Sequence, residues 1–112
     1  LTRPAGGGFT VVRFQGAGAG VLAVAYRPGE PGAYLLGADL PPPPEGKRYE
    51  LWLIRDDRPE PAGCFAPVGG VVEVRVAEDL RAADLLAVTV EPASCPEAPT
   101  AAPILTAPLR AV

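Results

Sequence analysis

The residues able to do chemistry in this chain are few. Histidine is absent, serine occurs once, at Ser94, and there are two cysteines, Cys64 and Cys95. A Ser-His-Asp or Cys-His arrangement needs a base beside its nucleophile, and no histidine is present to supply one. The chain is therefore expected not to be an enzyme, and no catalytic residue is assigned. Two cysteines without histidine or methionine fall short of the usual zinc and copper ligand sets. The carboxylate pairs Asp56-Asp57 and Glu78-Asp79 lack the spacing of a calcium loop and read as acidic surface turns. Neither metal nor cofactor is expected.

The cysteines carry more information. Cys64 lies in Pro61-Ala62-Gly63-Cys64-Phe65 and Cys95 in Ser94-Cys95-Pro96, each at a strand end or turn. An even count without Cys-x-x-Cys spacing favours a structural Cys64–Cys95 disulfide in an oxidising compartment. The alternative is a pair of buried thiols acting as small apolar fillers. Trp52, between Leu51 and Leu53, reads as core, and Tyr49 and Tyr34 as half-buried rings with the hydroxyl at the rim.

The elements that must position these residues are strands. The 112 residues include 15 prolines and 13 glycines, scattered as punctuation between short apolar runs, with 48% hydrophobic and 21% charged residues. That composition supports one folded domain over 9–112 and suits brief strands joined by turns. Eight strands are expected: Thr10 to Phe14, Val21 to Tyr26, Ala33 to Ala38, Arg48 to Ile54, Gly63 to Ala66, Val71 to Val76, Leu85 to Glu91 and Pro103 to Leu109. Val72, Val74 and Val76 alternate with Glu73 and Arg75, so that strand should have one wet face. The runs Tyr49 to Ile54 and Leu85 to Val90 are apolar on both faces and should be central.

Turns are expected at Arg27 to Gly32, Asp56 to Pro59 and Gly69-Gly70. Pro41 to Pro44 should form a stiff extended crossover between sheets. Glu78 to Asp84 alone looks helical, a single turn capped by Asp79. The fold expected is all-β, an immunoglobulin-like antiparallel β-sandwich of about seven or eight strands. Its core should hold Leu51, Trp52, Leu53, Val72, Val74, Val88 and Val90.

A net charge of −3 and a pI near 4.9 offer nothing to a phosphate backbone, so nucleic acid is not an expected partner. Residues 1–8, rich in proline and glycine, read as a flexible linker. The start at Leu1, with neither methionine nor a signal-peptide pattern, reads as a piece of a longer chain whose anchor lies upstream.

Leu40-Pro41-Pro42-Pro43-Pro44-Glu45-Gly46 followed by Tyr49-Glu50-Leu51-Trp52-Leu53-Ile54 resembles the C-terminal domain of the anti-sigma-K factor family. That family carries a Leu-Pro-Pro segment, a Gly and a Tyr-x-Leu-Trp-Leu-Ile strand. A second stretch, Ala87-Val88-Thr89-Val90-Glu91-Pro92-Ala93 and then Pro99-Thr100, is similar to the family's Ala-Val-Thr-x-Glu-Pro-Ala-Gly-Gly-Ser and Pro-Thr-Gly. Between them Pro61-Ala62-Gly63 ahead of Phe65 resembles its Pro-x-Gly-x-Phe step. The likeness covers roughly residues 20–109. Ser94-Cys95-Pro96 departs from Gly-Gly-Ser, Asp57-Arg58 from Asp-Gly, and Ala101 from the Gly after Thr.

The resemblance marks Tyr49, Trp52, Glu91, Pro92, Pro99 and Thr100 as structural motif residues. Glu91, at a strand end, is expected to accept hydrogen bonds from nearby backbone N–H groups and fix the loop to Thr100, with a ligand contact as the alternative. The resemblance also implies a single-pass cell-membrane protein with this domain on the extracytoplasmic side. A missing N-terminal domain, not this chain, would bind the sigma factor, and a missing helix would cross the membrane. The domain would control sigma-factor release, hence transcription and signal transduction, through a regulatory protease or envelope protein. A small-ligand sensor on the same side of the membrane is the alternative.

Overall fold

The computed structural model describes residues 4–5, 8–16, 18, 20–27, 29–80 and 83–109. Ten strands occur among them: β1 (Pro4–Ala5), β2 (Phe9–Arg13), β3 (Gln15–Gly16), β4 (Val21–Tyr26), β5 (Ala33–Ala38), β6 (Lys47–Arg55), β7 (Arg58–Phe65), β8 (Val72–Val76), β9 (Leu85–Pro92) and β10 (Leu105–Pro108). They form two five-stranded antiparallel sheets, ordered β1-β2-β4-β5-β8 and β3-β10-β9-β6-β7. The all-β sandwich follows as the alternation of apolar residues requires, and no helix among the described residues is long and apolar enough to cross a membrane. Of the linker expected over 1–8, residues 1–3, 6 and 7 lie outside the described residues, and Pro4–Ala5 pairs with Thr10 and Phe9.

Alternation sets the layers. Leu22 and Val24 of β4, Ala33 and Leu35 of β5, and Val72 and Val76 of β8 point inward from the first sheet. Tyr49, Leu51 and Leu53 of β6, Phe65 of β7, Leu86 and Val88 of β9 and Ala107 of β10 meet them from the second. Val74 and Val90 lie partly exposed against this core rather than within it. Glu73 and Arg75 face solvent from β8, as alternation with three valines demands.

Phe14 is where the chain changes sheets. Its side chain is buried and its N–H donates to the Leu22 carbonyl at 2.9 Å, between a strand of the first sheet and one of the second. Just beyond it, a Cβ on Gly16 would stand 2.1 Å from the Ile104 carbonyl oxygen, so only glycine admits the β3 to β10 pairing there. The prolines 41–44 cross from β5 in one sheet to β6 in the other, and Tyr49 Oη–H donates to the Pro41 carbonyl at 2.8 Å. Tyr49 is thus buried, not half-buried, because its ring closes the sandwich under that crossover and packs 5.6 Å from Phe65.

The strand after the Asp pair begins earlier than expected. Asp56 and Asp57, both with positive φ (52° and 61°), make a two-residue hairpin turn, and Arg58 already pairs with Arg55. Positive φ at both central residues is the primed turn whose twist matches paired strands. Pro59 and Pro61 are tolerated because β7 is an edge strand of its sheet. In the segment 78–84, Ala83 N–H donates to the Leu80 carbonyl at 3.1 Å, while residues 81 and 82 of the expected turn lie outside the described residues.

Candidate functional site

Two central strands present a second buried face, on the side of their sheet away from the sandwich core. On β6 the residues between Tyr49, Leu51 and Leu53 are Glu50, Trp52 and Ile54; on β9 those alternating with Leu86 and Val88 are Ala87, Thr89 and Glu91. Glu50 pairs with Thr89 and Trp52 with Ala87 across the two strands. Trp52, Glu50, Thr89 and Glu91 are each 2% exposed or less. Trp52 is therefore buried as expected, but outside the inter-sheet core that holds Leu51 and Leu53. An odd-numbered neighbour cannot share its face in a pleated strand.

What covers this face is the segment 93–104. It is fastened at four places. Ala93 N–H donates to the Gly46 carbonyl at 3.1 Å, and Ile104 N–H to the Val88 carbonyl at 2.8 Å. Cys95 is joined to Cys64, which pairs with Glu50 on β6, so the bridge ties the segment to the edge strand beside the buried face. Thr100 supplies the fourth, donating to Glu91 from its N–H at 3.1 Å and from its hydroxyl at 2.5 Å.

These contacts form one chain of donors. Trp52 Nε1–H donates to Thr89 Oγ1 at 2.8 Å, and the Thr89 hydroxyl donates to Glu91 Oε2 at 2.6 Å. Because the indole can only donate and the carboxylate only accept, the hydroxyl between them has its proton direction decided. Burial pushes the Glu91 carboxyl up, but hydrogen bonds from the Thr100 and Thr89 side chains and from the N–H groups of Thr100 and Ala101 outweigh it and hold the group below its ordinary value. Glu91 is a buried anion satisfied by polar donors.

Glu50 is its opposite. Burial first, and then the Glu91 charge, push its carboxyl above the ordinary value, and its Oε1 has no hydrogen-bond partner. Two carboxyl groups on one covered face thus have their protonation drawn apart, one ionised and one inclined to keep its proton. Sequence reasoning passed over Glu50 and Thr89. Strand parity was the available signal, since Glu50 shares a face with Trp52 and Thr89 with Glu91.

The structure thus brings Trp52, Glu91, Thr100, Cys64 and Cys95 to one assembly. Pro99 lies against it, Pro92 ends β9 beside it, and Tyr49 belongs to the other face of β6. Cys95 has positive φ, 58°, in a turn closed by its N–H on the Pro92 carbonyl at 3.0 Å. Glycine would take that conformation without strain, and a cysteine there is held by its bridge. Among the described residues no three of Cys, Asp and Glu are grouped to hold a metal ion.

Two clefts bear on ligand binding. The one between the sheets, lined by Leu22, Leu40, Tyr49 and Phe65, encloses about 40 Å³, too little for a metabolite. A wider open groove of about 290 Å³ runs beside the covering segment, between Trp52, Ile54 and Leu85 and Pro99 and Pro103. Its buried polar atoms, the indole N–H and the Thr89 hydroxyl, are already used within the donor chain.

The family model described as "Anti-sigma-K factor rskA, C-terminal" matches residues 1–104. A relative named "Anti-sigma-K factor RskA", from Mycobacterium ulcerans (strain Agy99), is 30% identical over 94 residues, which cover 83% of this chain. The matched stretch spans 40% of that relative's length. No solved structure gives a significant match.

Proposed function

The chain belongs to the family of anti-sigma-K factor C-terminal domains, and from that membership we propose that it is the outward-facing regulatory domain of a membrane-anchored anti-sigma factor. The sigma factor is held by another part of the full protein, across the membrane. This domain controls release by governing access of a protease, or of an envelope protein, to the segment that joins it to the anchor.

The observation that carries the reading is the Cys64–Cys95 bridge over the buried face. Such a bond persists outside the cytoplasm and is kept reduced within it. The bridge, Glu91 and Thr100 together close the covering segment on the sheet, which suits a domain that stays folded in an oxidising and variable medium. β1 is held more lightly, since it pairs through two residues at the edge of its sheet. A short edge strand peels at little cost, and an unpaired extended segment is what a protease binds.

The test is deletion of residues 9–112 from the full-length protein. Sigma-dependent transcription should change while sigma binding by the remainder stays intact. Unchanged transcription under every condition that activates the parent would remove the regulatory role. The groove of about 290 Å³ favours a second reading, a small-ligand sensor, but its buried polar atoms, the indole N–H and the Thr89 hydroxyl, are already partnered.

A further inference from the structure

Among the described residues the outer face of the first sheet is apolar at its centre, carries Arg13, Glu73 and Arg75 toward its margins and has no covering layer. Val11, Val21, Tyr34 and Leu36 are each at least 40% exposed there. Exposed large apolar side chains gathered on one sheet face are the kind of surface that a partner covers. Strand register shows what it fits.

Reading straight across the sheet, Arg13 of β2 pairs with Ala23 of β4, Ala23 with Leu36 of β5, and Leu36 with Glu73 of β8. The next row on the same face runs Val11, Ala25, Tyr34, Arg75, and the row on the other side contains Val21 and Ala38. In every row the pair contributed by β4 and β5 is one alanine and one larger apolar residue.

We propose that this face docks on itself in a second copy of the chain, about a two-fold axis lying between the facing sheets and parallel to their strands. Such an axis keeps the position along a strand and reverses the order across the sheet. Leu36 then lies over Ala23 of the second copy, Tyr34 over its Ala25, and Val21 over its Ala38. Each large side chain meets a small one, which is how facing sheets interdigitate. In the next row Val11 comes over Arg75 of the second copy, an unmatched pair, and the margins match in the row of Arg13. Arg13 comes over Glu73 of the second copy, and Glu73 over its Arg13, so the one row carrying opposite charges at its ends forms both pairs at once. These rim pairs set the register, while the apolar centre supplies the contact.

Sedimentation equilibrium of the 112-residue chain over the micromolar range tests this. The mass should rise with concentration toward twice the 11.5 kDa of one copy. Arg13→Glu and Glu73→Arg should each weaken association by about tenfold or more, by setting like charges opposite one another, and the double exchange should restore it. Leu36→Arg should abolish it. All three substitutions fall on exposed positions, and an unaltered strand spectrum in circular dichroism checks that each variant is folded. A chain that stays monomeric throughout overturns the proposal, leaving the face to another partner. A dimer indifferent to Leu36→Arg, or single charge reversals that the double exchange fails to rescue, overturns it too.

Discussion

Trp52 and Thr89, 37 residues apart in the chain, are joined by a 2.8 Å hydrogen bond on the face of their sheet that turns away from the core. Since the Thr89 hydroxyl in turn donates a hydrogen bond to Glu91, it serves two buried partners. Thr89→Val should cost about 2–3 kcal/mol, because it leaves the indole N–H buried without an acceptor and takes a donor from the carboxylate. Thr89→Ser keeps the hydroxyl and should cost less than about 1 kcal/mol. Denaturant unfolding followed by the fluorescence of the one tryptophan measures both. Equal losses for Val and Ser would show that the methyl, not the hydroxyl, matters.

The two buried carboxyls give stability opposite slopes with pH. The Glu91 carboxyl lies below its ordinary value in the fold, so its contribution is full above about 4.5 and is lost as pH falls through the folded value. Glu50 lies above the same ordinary value of 4.5, so folding is favoured below it and loses stability as pH rises through the folded value. Thermal unfolding across the acid and neutral range should therefore fall away on both sides of the ordinary carboxylate region. Glu50→Gln should abolish the loss on the neutral side and raise stability there. Glu91→Gln should abolish the acid-side loss and lower neutral stability by about 1.5–3 kcal/mol. A Glu50→Gln variant with the parent's profile would refute this account of Glu50.

The bridge closes a loop spanning a sequence separation of 31, and in the chain-entropy account a loop of that length is worth about 3–4 kcal/mol. Replacing Cys64 and Cys95 together with alanine should lower the unfolding free energy by about that amount. Intact mass under alkylation without reductant checks the bond itself. Two alkylated thiols in protein folded under oxidising conditions would contradict it.

Asp57 occupies the second position of the β6 to β7 hairpin turn at φ 61°, where an L side chain is strained. Asp57→Gly should stabilise by about 0.5–1 kcal/mol and Asp57→Ala should not, because only glycine removes the steric conflict of the left-handed region. If both variants change stability alike, backbone conformation is not the reason.

What the sequence by itself determined was local. The valines alternating with Glu73 and Arg75 could have only one wet face, and the doubly apolar runs around Trp52 and Val88 had to sit at the middle of a sheet, because period two is a property of the extended backbone. The positions of Cys64 and Glu91 near strand ends, and of Cys95 in a turn, were legible from the turn residues beside them. What only the tertiary structure decided is which residues share a covered space. Glu50 gains its meaning from Glu91, two places beyond its partner on a neighbouring strand. Trp52 belongs to the outer layer rather than the core because segment 93–104 folds back over it, and Tyr34 is 42% exposed because no described segment covers its face. The match of Leu36 to Ala23, and of Arg13 to Glu73 across four strands, exists only once register is set. Register depends on contacts between residues distant in the chain, and nothing in a strand's own pattern states which strand will lie beside it.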